Sequence, residues 1–151
     1  MRNNGGDAVR VNPKPPLGTR VTRGIVHGVH GRLHHVILDC PDPRALADFY
    51  AALLGQPVTY DDGNFVVVAP DATTSGLAFQ RAPGHVPPTW PDPAVPQQIH
   101  LDVMVEDVDV AASVVIALGA TRLGEDAVFA DPAGHPFCLI PRPHWAPPLP
   151  G

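Results

Sequence analysis

The sequence predicts an α+β fold in which two βαβββ modules form a cup-shaped open barrel of mixed sheets. Three observations carry this expectation. A strand, a helix and three short strands occur in the same order twice. In each copy a histidine opens the first strand (His35, His100), an aspartate N-cap follows seven residues later (Asp42, Asp107), and a glycine ends the helix (Gly55, Gly119). In each copy, alternation also gives the first strand one apolar face and one face bearing His and Asp.

The first module spans 33–82. Residues 33–40 (LHHVILDC) read as a strand, with Val36, Leu38 and Cys40 on the apolar face and His35, Ile37 and Asp39 on the other. Asp42 and Pro43 give an N-cap and a first helical position, and Leu46, Phe49, Tyr50 and Leu53 recur at helical spacing. Strands are expected at Val58–Tyr60, Phe65–Ala69 and Gly76–Arg81, separated by the turn-rich 61–64 and 70–75. Six prolines in 83–97 make that stretch a linker.

The second module spans 98–141. Residues 98–105 (QIHLDVMV) are its first strand, with His100, Asp102 and Met104 sharing a face. Ala111, Val114, Val115 and Leu118 form the expected apolar stripe of its helix. Strands follow near Thr121–Leu123, Ala127–Ala130 and Phe137–Ile140, with a turn at 131–134. The Pro-rich 142–151 reads as an irregular tail.

Charge separates the ends of the chain. Residues 1–32 hold six Lys/Arg and one acid, and read as a disordered basic leader. Residues 33–151 hold four Lys/Arg and fourteen acids, which argues against nucleic-acid binding by the folded part. No stretch approaches the ~18 apolar residues of a membrane span, and no secretory signal is readable. Two cysteines, Cys40 and Cys138, cannot build a disulfide framework and read as free thiols. A cytoplasmic location is expected.

Segments 33–58, 99–121 and 129–141 (FADPAGHPFCLIP) resemble the vicinal oxygen chelate superfamily of glyoxalase I, bleomycin-resistance proteins and extradiol dioxygenases. The motifs HLD (100–102), WPDP (90–93) and HPFCL (135–139) are similar to the glyoxalase-like domain common in actinobacteria. The resemblance implies the two-module fold, and a homodimer, but not a particular reaction. It also implies four metal-ligand places, at the start of the first strand and in the last strand of each module. These fall on His35, His100, Ala78 and Cys138. Two are histidines, one is a thiol and one has no donor.

Three function classes follow. A divalent ion (Fe, Mn, Ni or Zn) held by His35 and His100, with Asp39, Asp102 or Cys138 as further donors, would make a lyase, isomerase or dioxygenase. A metal-free enzyme would use His35 or His100 beside Asp39 or Asp102 as a proton acceptor. A non-catalytic protein would bind a small molecule such as an antibiotic, although nine aromatics supply a stacking groove poorly. The expected pocket comprises His35, Ile37, Asp39, Ala78, Gln80, Trp90, His100, Asp102, Met104 and Cys138, with His35, His100 and Asp102 as candidate catalytic groups. Cys138 sits in an apolar strand and reads as an inert thiol, His135 as a turn residue, and His34 as edge packing.

Overall fold

The computed structural model describes residues 31–150, so nearly all of the basic leader lies outside the described residues. Leu33–Gly151 is one unit built from both modules. The first contains β1 (His35–Cys40), α1 (Pro43–Leu54), β2 (Val58–Asp61), β3 (Phe65–Val68) and β4 (Gly76–Arg81). The second contains β5 (Leu101–Val105), α2 (Val108–Ala117), β6 (Thr121–Arg122), β7 (Val128–Ala130) and β8 (Pro136–Pro141). Each module forms a four-stranded mixed sheet, ordered β1-β4-β3-β2 and β5-β8-β7-β6, in which the first strand runs parallel to the last. The two sheets are not closed into a barrel.

The helices begin where their caps dictate. Asp42 accepts from the Ala45 N–H at 3.1 Å, and Asp107 accepts from the Asp109 and Val110 N–H groups at 2.9 and 3.0 Å. Each cap contributes about 1 kcal/mol. Gly55 ends α1 in the left-handed region at φ 62°. Two expectations need correction. Strand β5 starts at Leu101, so His100 precedes it. In α2, Ala112 and Val115 are buried, whereas Val114 is exposed. The sequence VDVAASVVIA is apolar almost all round, so periodicity does not single out its inner face.

One core joins the modules. It combines Leu38, Cys40, Val66, Val68 and Phe79 of the first sheet with Phe129, Phe137 and Leu139 of the second, and with residues of both helices. Helix α1 contributes Phe49, whose ring meets Phe137 at 5.9 Å, and Tyr50, which stacks on Phe79 at 5.4 Å. Each such buried side chain contributes about 1.5–3 kcal/mol. Burial, with Asp131, Asp42 and Asp39 nearby, pushes the Cys40 thiol up to about 11, as suits a core residue.

A polar network also crosses between modules. Asp131, buried at the β7–β8 turn, accepts from the Tyr50 hydroxyl at 3.0 Å and lies 2.9 Å from His135 Nδ1. His135 Nε2 lies 3.0 Å from the Asp39 carbonyl. A carboxylate on one ring nitrogen and a carbonyl on the other are satisfied together only by the doubly protonated ring. Burial opposes that charge, but the hydrogen bond and charge of Asp131, with the Asp39 carbonyl, raise the His135 pKa above 6.5. In the linker, His85 Nε2 reaches the Ala133 carbonyl at 3.0 Å and its ring packs 4.8 Å from that of His135.

Candidate functional site

The face of the first sheet turned away from α1 is open. Strand register places Ile37, Ala78 and Val67 in one row across β1, β4 and β3. A cavity of about 620 Å³ covers this face, lined by His34, His35, Ile37, Thr59, Tyr60, Asp62, Phe65, Val67, Ala72 and Thr74. Its floor is apolar and four rings surround it. Ile37 and Tyr60 remain 51% and 53% exposed, although both are large and apolar or aromatic. The His34 and His35 rings lie 3.9 Å apart.

His35 has a defined proton state here. The Gly76 N–H donates to its Nδ1 at 3.2 Å. An accepting Nδ1 leaves the ring proton on Nε2. Burial, followed by the neighbouring His34, lowers the His35 pKa below 6.5, so the ring is neutral at pH 7. It can donate one hydrogen bond from Nε2. A Cβ at Gly76 would strike the Val68 carbonyl and Ala69, so glycine is what lets the start of β4 lie this close to the end of β3.

The second sheet holds a different group. Asp102 pairs with Cys138 across β5 and β8, in the position that Ile37 and Ala78 occupy in the first sheet. His100 lies two residues before Asp102, with its Nε2 3.5 Å from Asp102 Oδ1. Donor atoms of His100, Asp102 and Cys138 all lie within 4.8 Å of one another. Burial, then the Asp102 carboxylate, raises the Cys138 pKa, so this thiol is protonated at pH 7. At 3.5 Å, and with side chains 46% and 53% exposed, His100 and Asp102 do not form a tightly oriented acid–base pair.

The expected pocket residues therefore separate. His35 and Ile37 line the first-sheet cavity, with Ala78 buried beneath it in a small cluster with Val67 and Ala69. Asp39 and Gln80 are exposed on the same face, outside that lining. His100, Asp102 and Cys138 meet on the second sheet, and none lines the cavity of His35. Met104 and Asp102 border a separate open cleft of about 910 Å³ between the end of α1 and β5. Trp90 is exposed in the linker and lines neither space. His34 is not edge packing but part of the cavity wall. Tyr60, Asp62, Phe65 and Val67 were not expected at a site. The signal was present, since alternation along β2 and β3 puts Tyr60 and Val67 on the face of Ile37 once the register is known.

The four ligand places implied by the resemblance do not fit one divalent ion. Ala78 has no donor, and His100 does not share the cavity of His35. A ligating histidine normally donates its second N–H to an oxygen acceptor. In His35 the second nitrogen instead accepts from Gly76, which puts a proton on the nitrogen that a metal would need.

The glyoxalase-like domain family matches residues 35–140. No curated protein sequence matches the chain. Among solved structures, an oxidase, ChaP-H2, is 26% identical with a TM-score of 0.53, over 76% of this chain and 96% of that one. A glyoxalase/bleomycin resistance protein/dioxygenase family enzyme from Burkholderia phytofirmans PsJN is 18% identical with a TM-score of 0.57, over 74% and 98%. A glyoxalase/bleomycin resistance protein from Albidiferax ferrireducens T118 is 17% identical with a TM-score of 0.54, over 74% and 98%. With the family matched over most of its length and two βαβββ modules in place, this chain belongs to the glyoxalase-like domain family of the vicinal oxygen chelate superfamily.

Proposed function

We propose that this protein binds a small, largely apolar organic molecule on the open face of its first sheet. The carrying observation is the cavity of about 620 Å³, an apolar floor ringed by a few polar groups. That size and lining match the usual ligand pocket. Ile37 and Val67 would pack under the ligand, Tyr60 and Phe65 would flank it, His35 Nε2–H would donate to an acceptor, and Asp62 would accept at the rim. A planar phenol or aromatic carbonyl compound has the matching chemistry. Few aromatics are present in the chain, but two of them stand at this one cavity.

A homodimer belongs to the proposal, because exposed Val110, Val114 and Ile116 on α2, outside the cavity, offer apolar area that a second copy would cover. So does a cytoplasmic location, supported by two unpaired cysteines. Among the described residues no helix is long and apolar enough to cross a membrane.

The binding test is calorimetric titration of a panel of small phenols and aromatic carbonyl compounds. Ile37→Asp should abolish binding. His35→Ala should weaken it about fivefold, the effect of one lost hydrogen bond of about 1 kcal/mol. Binding that survives Ile37→Asp unchanged would contradict the assignment. A second reading, catalysis on the bound molecule, draws support from the likeness to ChaP-H2, which is named an oxidase. Turnover of a bound panel member would favour it, and unchanged ligand after prolonged incubation would favour simple binding.

A further inference from the structure

We propose that the cleft between the end of α1 and the free edge of β5 is a second binding site, for a primary amine carrying an aliphatic chain. It shares no lining residue with the cavity of His35, so it does not depend on the binding function proposed above.

The cleft follows from the topology. Strand β5 ends the second sheet and is paired on one edge alone, to β8. Alternation sends Leu101 and Val103 to the side of buried Val105, toward the core. Both stay half-buried, and with Leu53, Leu54 and Leu77 they line a space of about 910 Å³. Aliphatic walls around that volume suit a small organic ligand. The C-terminal segment supplies a further wall. Glu106, the residue after β5, accepts from Arg142 Nε with both carboxylate oxygens at 2.8 Å and from the Leu149 N–H at 2.8 Å. The Arg142 guanidinium donates in turn to the Ala146 carbonyl at 2.7 Å, and Ala146 is buried. One carboxylate therefore holds both ends of 142–149 and sets Leu149 against the cleft.

Charge selects the ligand. Among the described residues no basic side chain lines the cleft, whereas the carboxylate of Asp102 does. The end of α1, residues 52–55, forms the opposite side. A helix C-terminus carries about half a negative charge, and the last turn of α1 has no basic residue to offset it. An ammonium group is attracted between these two negative sides, and a carboxylate is repelled. The excess of acids over Lys/Arg in 33–151 draws a cation to the molecule as a whole. Tyr50 is the one ring in the lining and is buried, with its hydroxyl held by Asp131. The walls therefore favour an aliphatic chain over an aromatic body.

The test is calorimetric titration of the full chain with n-octylamine at pH 7, where an alkylamine is protonated, beside octanoate. The expected result is saturable binding of one octylamine per chain, with octanoate at least about tenfold weaker, the factor of one charge reversal near 1.4 kcal/mol. Ala52 is exposed on α1 and lines the cleft. Ala52→Lys places an ammonium there and should abolish binding with the circular dichroism spectrum unchanged. Asp102→Asn should weaken binding about fivefold, the upper range for an exposed ion pair. Glu106→Ala releases Leu149 and should weaken it about threefold, the effect of one buried methylene. His35→Ala should leave it unchanged. Methyl shifts should appear at Leu53, Leu101 and Val103. The absence of saturable binding at millimolar octylamine, equal affinity for octanoate, unchanged binding in Ala52→Lys, or shifts centred on Ile37 and Val67 would overturn the proposal. The last result would move the amine to the first-sheet cavity.

Discussion

At the scale of the residue, three histidines in one small fold carry different roles because their hydrogen-bond partners differ. His35 accepts from a backbone N–H and has its pKa lowered, chiefly by burial, whereas His135 sits between a carboxylate and a carbonyl that raise its pKa against the opposing effect of burial. His100 is exposed beside Asp102. Nitrogen-15 NMR at pH 7 should find His35 as the neutral tautomer with its proton on Nε2, titrating below 6.5. For His135 the sign runs the other way. Its pKa is raised in the folded state, so its stabilisation is fully present below the unfolded value of about 6.5 and is lost as pH rises through the folded value. Urea unfolding should therefore find the cost of His135→Gln larger at pH 5.5 than at pH 9. Tyr50→Phe should cost about 1 kcal/mol, because Asp131 keeps its bonds from the Ala133 and His135 N–H groups. The sequence marks His135 as a turn residue and does not reveal its partners. Tyr50 lies eighty-one positions from Asp131, and no local pattern encodes that meeting.

At the scale of the element, local chemistry made most boundaries legible. Asp42, Pro43 and Gly55 bound α1 where their capping preferences place them. Asp107 does the same for the start of α2, while the inner face of that helix could not be read from a nearly uniform apolar run. Asp107→Ala should lower stability by about 1 kcal/mol in urea unfolding. The turn between β7 and β8 lies against the linker. Gly134 has φ 93°, and a Cβ there would collide with Pro87 of the linker. Gly134→Ala should therefore cost more than the ~1 kcal/mol typical of a strained glycine replacement, and should also loosen the linker. Rapid proteolysis of 83–97 in the variant but not in the parent would report that loosening.

At the scale of the whole molecule, the two modules share one core rather than owning one each. Unfolding monitored by circular dichroism and by tryptophan fluorescence should follow a single transition. Phe137→Ala, which empties a place touched by Phe49, Tyr50 and Phe129, should lower its free energy by about 3–5 kcal/mol. The repeat was legible because each module obeys the same punctuation, and so was the polar face of each first strand. The docking of one module on the other was not legible. Alternation tells which side of a strand a residue occupies, but not which two sheet faces come to share a space. For that reason His35 and His100, equivalent in sequence, stand at different sites. The central claim, that a small molecule occupies the face of the first sheet, is tested most directly by methyl chemical-shift mapping with a binding phenol or aromatic carbonyl compound. The prediction is that saturable shifts concentrate on Ile37, Val67 and Ala72 while Val103 and Met104 stay still. Shifts confined to Val103, Met104 and Ile140 would contradict it.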